Sequence, residues 1–275
     1  MHVHTGRGLD TAAETIKTLQ LQAVQIFTGN PSAWRSAPVD AKATALFKAD
    51  LEEMDVRPAL SHAMYLINLA SPNPNFQKKS REALKAELER AEAYGLQYVV
   101  VHVGSHMGDG AQAGIHRVVA QLDKILSAAG GSAACLLETS AGGGAYVGAK
   151  FEDLAQILSR LPQHGARLGV CLDTAHAYAS GYDVAGAQGM TRTLEELIAI
   201  VPAERIRACH CNDTTVTLGG KADRHVNIGQ GNIGLEGFKA LLDFDPLAHC
   251  AFVLETPGEE MLEGLENLNT LRALR

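Results

Sequence analysis

The chain has 275 residues, 24 Lys and Arg against 31 Asp and Glu, a formal net charge of −7, and 46% hydrophobic residues. That length suits one large α/β barrel or two small domains, and the ordinary balance of charged and apolar residues excludes a disordered chain. No apolar run approaches the roughly 18 residues of a membrane span, which excludes a spanning helix, and the acidic balance leaves no basic footprint for nucleic acid in the bulk charge.

The N-terminal run Met1-His2-Val3-His4-Thr5-Gly6-Arg7-Gly8 lacks the basic-then-apolar pattern of a secretory signal. Five cysteines, an odd number spread along the chain, read as reduced thiols of a cytoplasmic protein. Short apolar or β-branched runs then alternate with loops and helical patterns. The first run is very short, Val3-His4, followed by Ala23 to Phe27 and Val56 to Ser61. A helix is expected over Lys79 to Ala93, with Leu84, Leu88 and Ala91 on one face. Further strands follow at Tyr98 to His102, Ala133 to Glu138, Leu168 to Asp173, Ile206 to His210 and Ala251 to Glu255. Helices fall at Val118 to Ala128, Leu194 to Val201 and Gly258 to Leu274, the last repeating Leu at 262, 265, 268 and 271.

Eight strand-then-helix units require a mostly parallel sheet, and eight of them in this length favour a closed (β/α)8 TIM barrel, a single catalytic domain over residues 1–275. An open nucleotide-binding sheet would carry GxGxxG after its first strand; Thr5-Gly6-Arg7-Gly8-Leu9 does not.

Chemistry in such a barrel sits where strands run out into their following loops. Those positions read His62, His102, Glu138, Asp173, His210 and Glu255, with His176 just after the sixth strand and Asp223 and His225 in the loop after the seventh. All nine are potential metal ligands. A single buried His is ordinarily structural, and Asp173 before Thr174 is a helix cap on its own. Nine such residues at one barrel end are another matter. Four converging carboxylates would repel one another unless divalent cations compensate them. Five His and four carboxylates suit Zn²⁺, Mn²⁺ or Fe²⁺ better than Mg²⁺, and three metals sharing one bridging carboxylate fit the count. Such a cluster is suited to in-line displacement at phosphorus. Cys209 and Cys211 flank His210, so an inward His210 turns both thiols outward, and Cys171 lies short of its strand end; all three read as structural. The run Gly142-Gly143-Gly144 reads as room for a substrate backbone, since no Lys-Ser/Thr follows it.

The segments His62-Ala63-Met64-Tyr65-Leu66-Ile67-Asn68-Leu69-Ala70, Gly169-Val170-Cys171-Leu172-Asp173-Thr174-Ala175-His176 and His210-Cys211-Asn212-Asp213 followed by Asp223-Arg224-His225 resemble the signatures of the endonuclease IV family, zinc-dependent abasic-site endonucleases with a xylose-isomerase-like barrel. The resemblance runs from His2 to Glu255. It also covers His102-Val103-Gly104-Ser105-His106, Glu138-Thr139-Ser140-Ala141-Gly142, Gly181-Tyr182-Asp183 and Gly229-Gln230-Gly231-Asn232-Ile233-Gly234.

The resemblance implies three Zn²⁺ per chain, with Mn²⁺ or Fe²⁺ as alternatives at one or more sites. His62, His102 and Glu138 would hold the first metal; Glu138, Asp173, His210 and Glu255 the second; His176, Asp223 and His225 the third. Glu138 and Glu255 are the implied catalytic carboxylates, Glu138 bridging two metals and Glu255 orienting a bridging hydroxide. The implied partner is double-stranded DNA with abasic sites or blocked 3′ ends, met by a monomer. Tyr65 and Leu66 resemble residues that push into DNA at the lesion, and Asn30 and Trp34 are the expected contacts of the loop after the second strand. Three bound divalent cations more than neutralise four ligand carboxylates, so a local positive site can exist on an acidic protein. The chain departs from the family pattern at Ala175, where the signature has Cys, and at Asp213-Thr214-Thr215, where it has Asp-Ser-Lys. In the Gly29 to Trp34 loop, Ser32 and Ala33 stand where some relatives offer Arg and Gln.

The competing expectation is a metal-dependent sugar isomerase or epimerase of the xylose-isomerase-like type. It would use the Glu138, Asp173, His210 and Glu255 positions and has no need of the other five ligands. A catalytically dead binding barrel is disfavoured because all nine ligands are present.

Overall fold

A computed structural model describes residues 1–257 and 261–275. Strands and helices alternate in the order β1 (His2–Val3), α1 (Leu9–Thr18), β2 (Val24–Ile26), α2 (Ala41–Glu53), β3 (Ala59–His62), α3 (Pro74–Tyr94), β4 (Tyr98–His102), α4 (Ala111–Ala128) and β5 (Ala134–Glu138). There follow α5 (Phe151–Ser159), β6 (Leu168–Asp173), α6 (Thr174–Ser180), α7 (Gly186–Ile200), β7 (Ile206–His210), α8 (Gly234–Leu242), β8 (Ala251–Val253) and α9 (Met261–Ala273). All eight strands are parallel and ordered as in the sequence. The His2 amide donates to the Leu254 carbonyl at 2.8 Å across the seam and closes the sheet into the expected (β/α)8 barrel.

The pattern follows from side-chain alternation. In β4, Val99 and Val101 face the helices while Val100 faces the barrel interior; β5 repeats this with Cys135 and Leu137 outward and Leu136 inward. The interior is filled by Leu60, Val100, Leu136, Cys171, Ala208 and Ala251, each two residues before its strand's end, together with Val253 at the end of β8. A period of two then turns His102, Glu138, Asp173 and His210 inward as well. A bulge at Val170/Cys171 shifts the β6–β7 register and sets Asp173 level with His210.

Several boundaries differ from those expected. The first strand is His2–Val3, and the third begins at Ala59, because Arg57–Pro58 interrupts the apolar run with a proline that lacks a ladder donor. The eighth strand stops at Val253, leaving Glu255 in the loop beyond it. The third helix starts earlier than its apolar face, at Pro74, where Asn73 accepts from the Asn75 and Phe76 amides, and it ends on left-handed Gly95. The first residues of the expected Gly258–Leu274 helix lie outside the described residues.

All five cysteines are free and buried. Cys209 and Cys211 pack outward and Cys171 inward, and none joins the cluster described below. Burial pushes the Cys171 thiol up to about 11 and those of Cys135 and Cys211 to about 12. Among the described residues no helix is long and apolar enough to cross a membrane.

Leu136 is fully buried in the barrel interior. Leu136→Ala is expected to destabilise the chain by about 2–5 kcal/mol, as for other large-to-small core changes. A lowered midpoint in urea denaturation checks this; an unchanged midpoint would mean that this layer is not tightly packed.

Candidate metal centre

His62, His102, Glu138, Asp173 and His210 are each the last residue of their strand, β3 to β7. His102 pairs with Glu138 and Asp173 with His210 in the ladder, so neighbouring strands bring them to one level. His176 enters from α6, and Asp223, His225 and Glu255 from the loops after β7 and β8. Asp173 has two tasks: one oxygen caps α6 by accepting from the His176 amide at 2.7 Å, and the other faces the cluster. The cap reading holds for it, and its second oxygen remains open to a ligand role.

Glu138 is the hub. Its Oε2 lies 3.1 Å from His62 Nε2 and 3.3 Å from His102 Nδ1, and its Oε1 lies 3.1 Å from His210 Nδ1 and 3.4 Å from His176 Nδ1. Glu255 Oε2 is 3.0 Å from His210 Nδ1. Asp223 Oδ1 is 3.2 Å from His176 Nε2 and 3.1 Å from His225 Nε2. Ligand atoms within 4.8 Å of one another fall into three sets: His62, His102 and Glu138; Glu138, Asp173, His210 and Glu255; and Asp173, His176 and His225. The third set has Asp173 where Asp223 was expected, although Asp223 stands against the same two imidazoles.

The electrostatics are those of carboxylates held among imidazoles. Burial opposes ionisation of Glu138, but His102 and His210 outweigh it and hold the carboxyl well below its ordinary value. Glu255 and Asp223 are lowered in the same way, against burial, by their imidazole neighbours. For His62 and His176 burial resists the charge and adjacent carboxylates overcome it; at His210 Cys171, Glu255 and Glu138 together overcome it, whereas burial wins at His102. Protons thus do the work that a cation would do better.

The donor set fits divalent metal by a direct test. His62, His176 and His225 each donate Nδ1–H to a main-chain carbonyl, of Ala63, Thr139 and Glu255, at 2.7, 2.9 and 3.2 Å. In the neutral form that a metal requires, each of these three imidazoles thus has its lone pair on Nε2. The Nε2 atoms of His176 and His225 are buried with no hydrogen-bond partner although Asp223 is near, as expected of nitrogens shaped for a metal.

Three residues that the sequence reading missed complete the centre. Asn212 donates to Asp173 Oδ2 at 2.6 Å and Glu255 Oε2 at 3.3 Å, and accepts from the Glu255 amide at 2.9 Å. Gln25 links His210 and Glu255, and His2 stands behind Gln25. Gln25 carried a signal: it is the polar residue inside an otherwise apolar strand.

The centre opens into a cavity of ≈ 910 Å³ whose lining includes Arg7, Phe27, Tyr65, Arg224 and Glu255. Tyr65 stands on its rim, 55% exposed, with ring centroids 5.6 Å from His62 and 6.1 Å from His102. Leu66 beside it is half-buried. Asn30 is exposed, but its side chain accepts from the Ser32 amide, and Trp34 packs on Phe76 and Lys79 of α3; neither lines the cavity. The loop carrying them is tied down. Arg90 donates to the Thr28 hydroxyl and the Ala37 carbonyl, Thr28 donates to buried Glu87, and the Tyr65 amide donates to Pro31 at 2.9 Å. Gly142–Gly144 do not line this cavity; Gly142, at φ 80°, turns closely over Ser180 of α6, while Gly144 faces open space.

A family model described as a xylose isomerase-like TIM barrel matches residues 13–274. A protein of Chloroflexus aggregans named "Probable endonuclease 4" is 39% identical over 99% of this chain and 96% of its own length. The crystal structure of endonuclease IV from Thermus thermophilus superposes with a TM-score of 0.87 at 36% identity, covering 100% of this chain and 97% of that one. A putative xylose isomerase from Rhodospirillum rubrum, at 15% identity and a TM-score of 0.76 over 99% of this chain and 98% of that one, shares the fold alone.

Metal uptake must displace protons here. Burial resists charge on His225, but Asp223 and Asp173 prevail and raise it to about 9, so near neutral pH the metal-free imidazole is protonated. Lower pH favours the competing proton. Zinc affinity is therefore expected to fall steadily from about pH 8 to about pH 5.5, with proton release visible as a buffer-dependent binding enthalpy. An affinity independent of pH would contradict this account.

Proposed function

Because this chain belongs to the endonuclease IV family, we propose that it is a DNA-repair endonuclease that hydrolyses the phosphodiester 5′ to abasic sites and clears blocked 3′ ends. In this reading residues 1–275 act as one catalytic barrel, a cytoplasmic monomer holding three Zn²⁺, with Mn²⁺ or Fe²⁺ as alternatives. The observation that supports it most is the gathering of eight of the nine candidate ligands into three sets that share Glu138 and Asp173, with the ninth, Asp223, set against His176 Nε2 and His225 Nε2.

His62, His102 and Glu138 would hold one cation, Glu138, Asp173, His210 and Glu255 a second, and His176, Asp223 and His225 a third. Bound divalent cations supply Lewis acidity toward phosphoryl oxygens and make water nucleophilic at neutral pH. Glu138 offers one oxygen to each of two ligand sets and so keeps their spacing. Glu255, fixed by Gln25 and Asn212, would help hold the second cation and orient the attacking water. Arg7 and Arg224 at the cavity mouth supply the cationic groups for a phosphate backbone. Tyr65, with Leu66 beside it, is the wedge that opens the base stack; its exposure supports that role over one in packing. Asn30 and Trp34, held in the adjacent loop, are the remaining proposed DNA contacts. A sugar isomerase or epimerase would leave His62, His102, His176, Asp223 and His225 without a task.

The test is cleavage of a duplex carrying one abasic site. Glu255→Gln should fold normally and lose at least about 10²-fold in rate, typical of removing a central electrostatic group; near wild-type cleavage would remove Glu255 from the mechanism. Tyr65→Ala should lose more activity on that duplex than on a nicked, 3′-blocked end, where the stack is already open. Equal loss on both substrates with a lowered melting temperature would mark Tyr65 as a packing residue.

A further inference from the structure

Four of the five imidazoles of the centre fall into two kinds. Main-chain carbonyls choose the tautomers of His62, His176 and His225, so no side-chain substitution can change them. His210 instead meets the side chain of Gln25, whose Oε1 is 2.8 Å from His210 Nε2. Gln25 is fully buried in β2 between apolar Val24 and Ile26, where an amide is costly unless its hydrogen bonds are made.

Its orientation is forced. An ionised carboxylate can only accept, so the amide nitrogen must face Glu255 Oε1, 2.5 Å away. The amide oxygen is then turned to His210 Nε2, which must carry the hydrogen. Nδ1 is then the nitrogen left to face a cation; without one it carries a proton held between carboxylates, 3.1 Å from Glu138 Oε1, 3.0 Å from Glu255 Oε2 and 3.7 Å from Asp173 Oδ2. The second amide hydrogen goes to His2 Nδ1 at 3.1 Å.

We propose that Gln25 is a positioning residue of the metal centre: one amide sets the tautomer of His210 and the rotamer of Glu255 together, and so prepares the Glu138, Asp173, His210 and Glu255 set for a divalent cation. The inference rests on the metal-centre reading above. It goes beyond that reading in giving one buried side chain control over two ligands of a single set, whereas His62, His176 and His225 are oriented by main-chain carbonyls.

The experiment uses zinc-loaded full-length protein, wild type, Gln25→Leu and Gln25→Glu, dialysed against a graded series of chelator and analysed for zinc per chain. Gln25→Leu keeps the length and removes both hydrogen bonds; Gln25→Glu keeps an acceptor but sets a second carboxylate against Glu255. Each variant should shed about one zinc ion at a chelator level that leaves wild type fully loaded. The corresponding loss of affinity is about 10- to 100-fold, as for other partners of ligating histidines. The kcat on abasic duplex should fall with little change in KM, because no DNA-facing group is altered, and the metal-free melting temperature should not fall in step. A folded Gln25→Leu that holds every zinc as tightly as wild type overturns the proposal; if that variant does not fold, Gln25→Glu decides in the same way. Wild-type protein that binds no zinc would instead overturn the metal-centre reading, and this inference with it.

Discussion

Glu138 is 1% exposed, and four imidazoles approach it within 3.4 Å. A carboxylate at that depth loses several kcal/mol of hydration, and only opposite charge or metal restores it. Everything at the top of the barrel answers to that demand. The histidines arrive from separate strands because no single element could surround one carboxylate. Asp173, Asp223 and Glu255 then add negative charge that imidazoles alone balance poorly. The arrangement is one that a protein tolerates when cations complete it.

The barrel is what makes the convergence cheap. Parallel strands with inward alternation deliver one side chain per strand end to a common level, and no loop has to be folded across the interior. Sugar isomerases share that frame at low identity, so the frame says little about chemistry. The chemistry lies in which strand ends carry donors, and here two further loops contribute donors as well.

Much of this was legible in the chain. Strand ends could be read because a buried parallel strand is a short apolar run, and a His, Asp or Glu closing such a run stands out, as at His102, Glu138, Asp173 and His210. Boundaries were less legible where tertiary context sets them: Pro58 delays the third strand, and closure against β1 leaves Glu255 beyond the eighth. Gln25, Asn212 and His2 were missed for a different reason. Their types are ordinary, and their importance comes from partners distant in the chain, such as Glu255 for Gln25. The loop contacts were least legible: Asn30 spends its side chain on its own turn and Trp34 on α3, which only local geometry reveals.

The five buried thiols have a consequence for durability. Peroxide attacks thiolate, not thiol, and a cysteine raised to about 11, as Cys171 is, holds only roughly one part in ten thousand as thiolate at neutral pH. Cys171 lies two residues from Asp173 in the same strand, yet it is walled into the barrel interior below the cluster. The candidate ligands are thus nitrogen and oxygen donors, and the nearest sulfur, Cys171, is buried as a thiol beneath them. Peroxide at neutral pH therefore finds little thiolate at Cys171, next to the cluster, to attack.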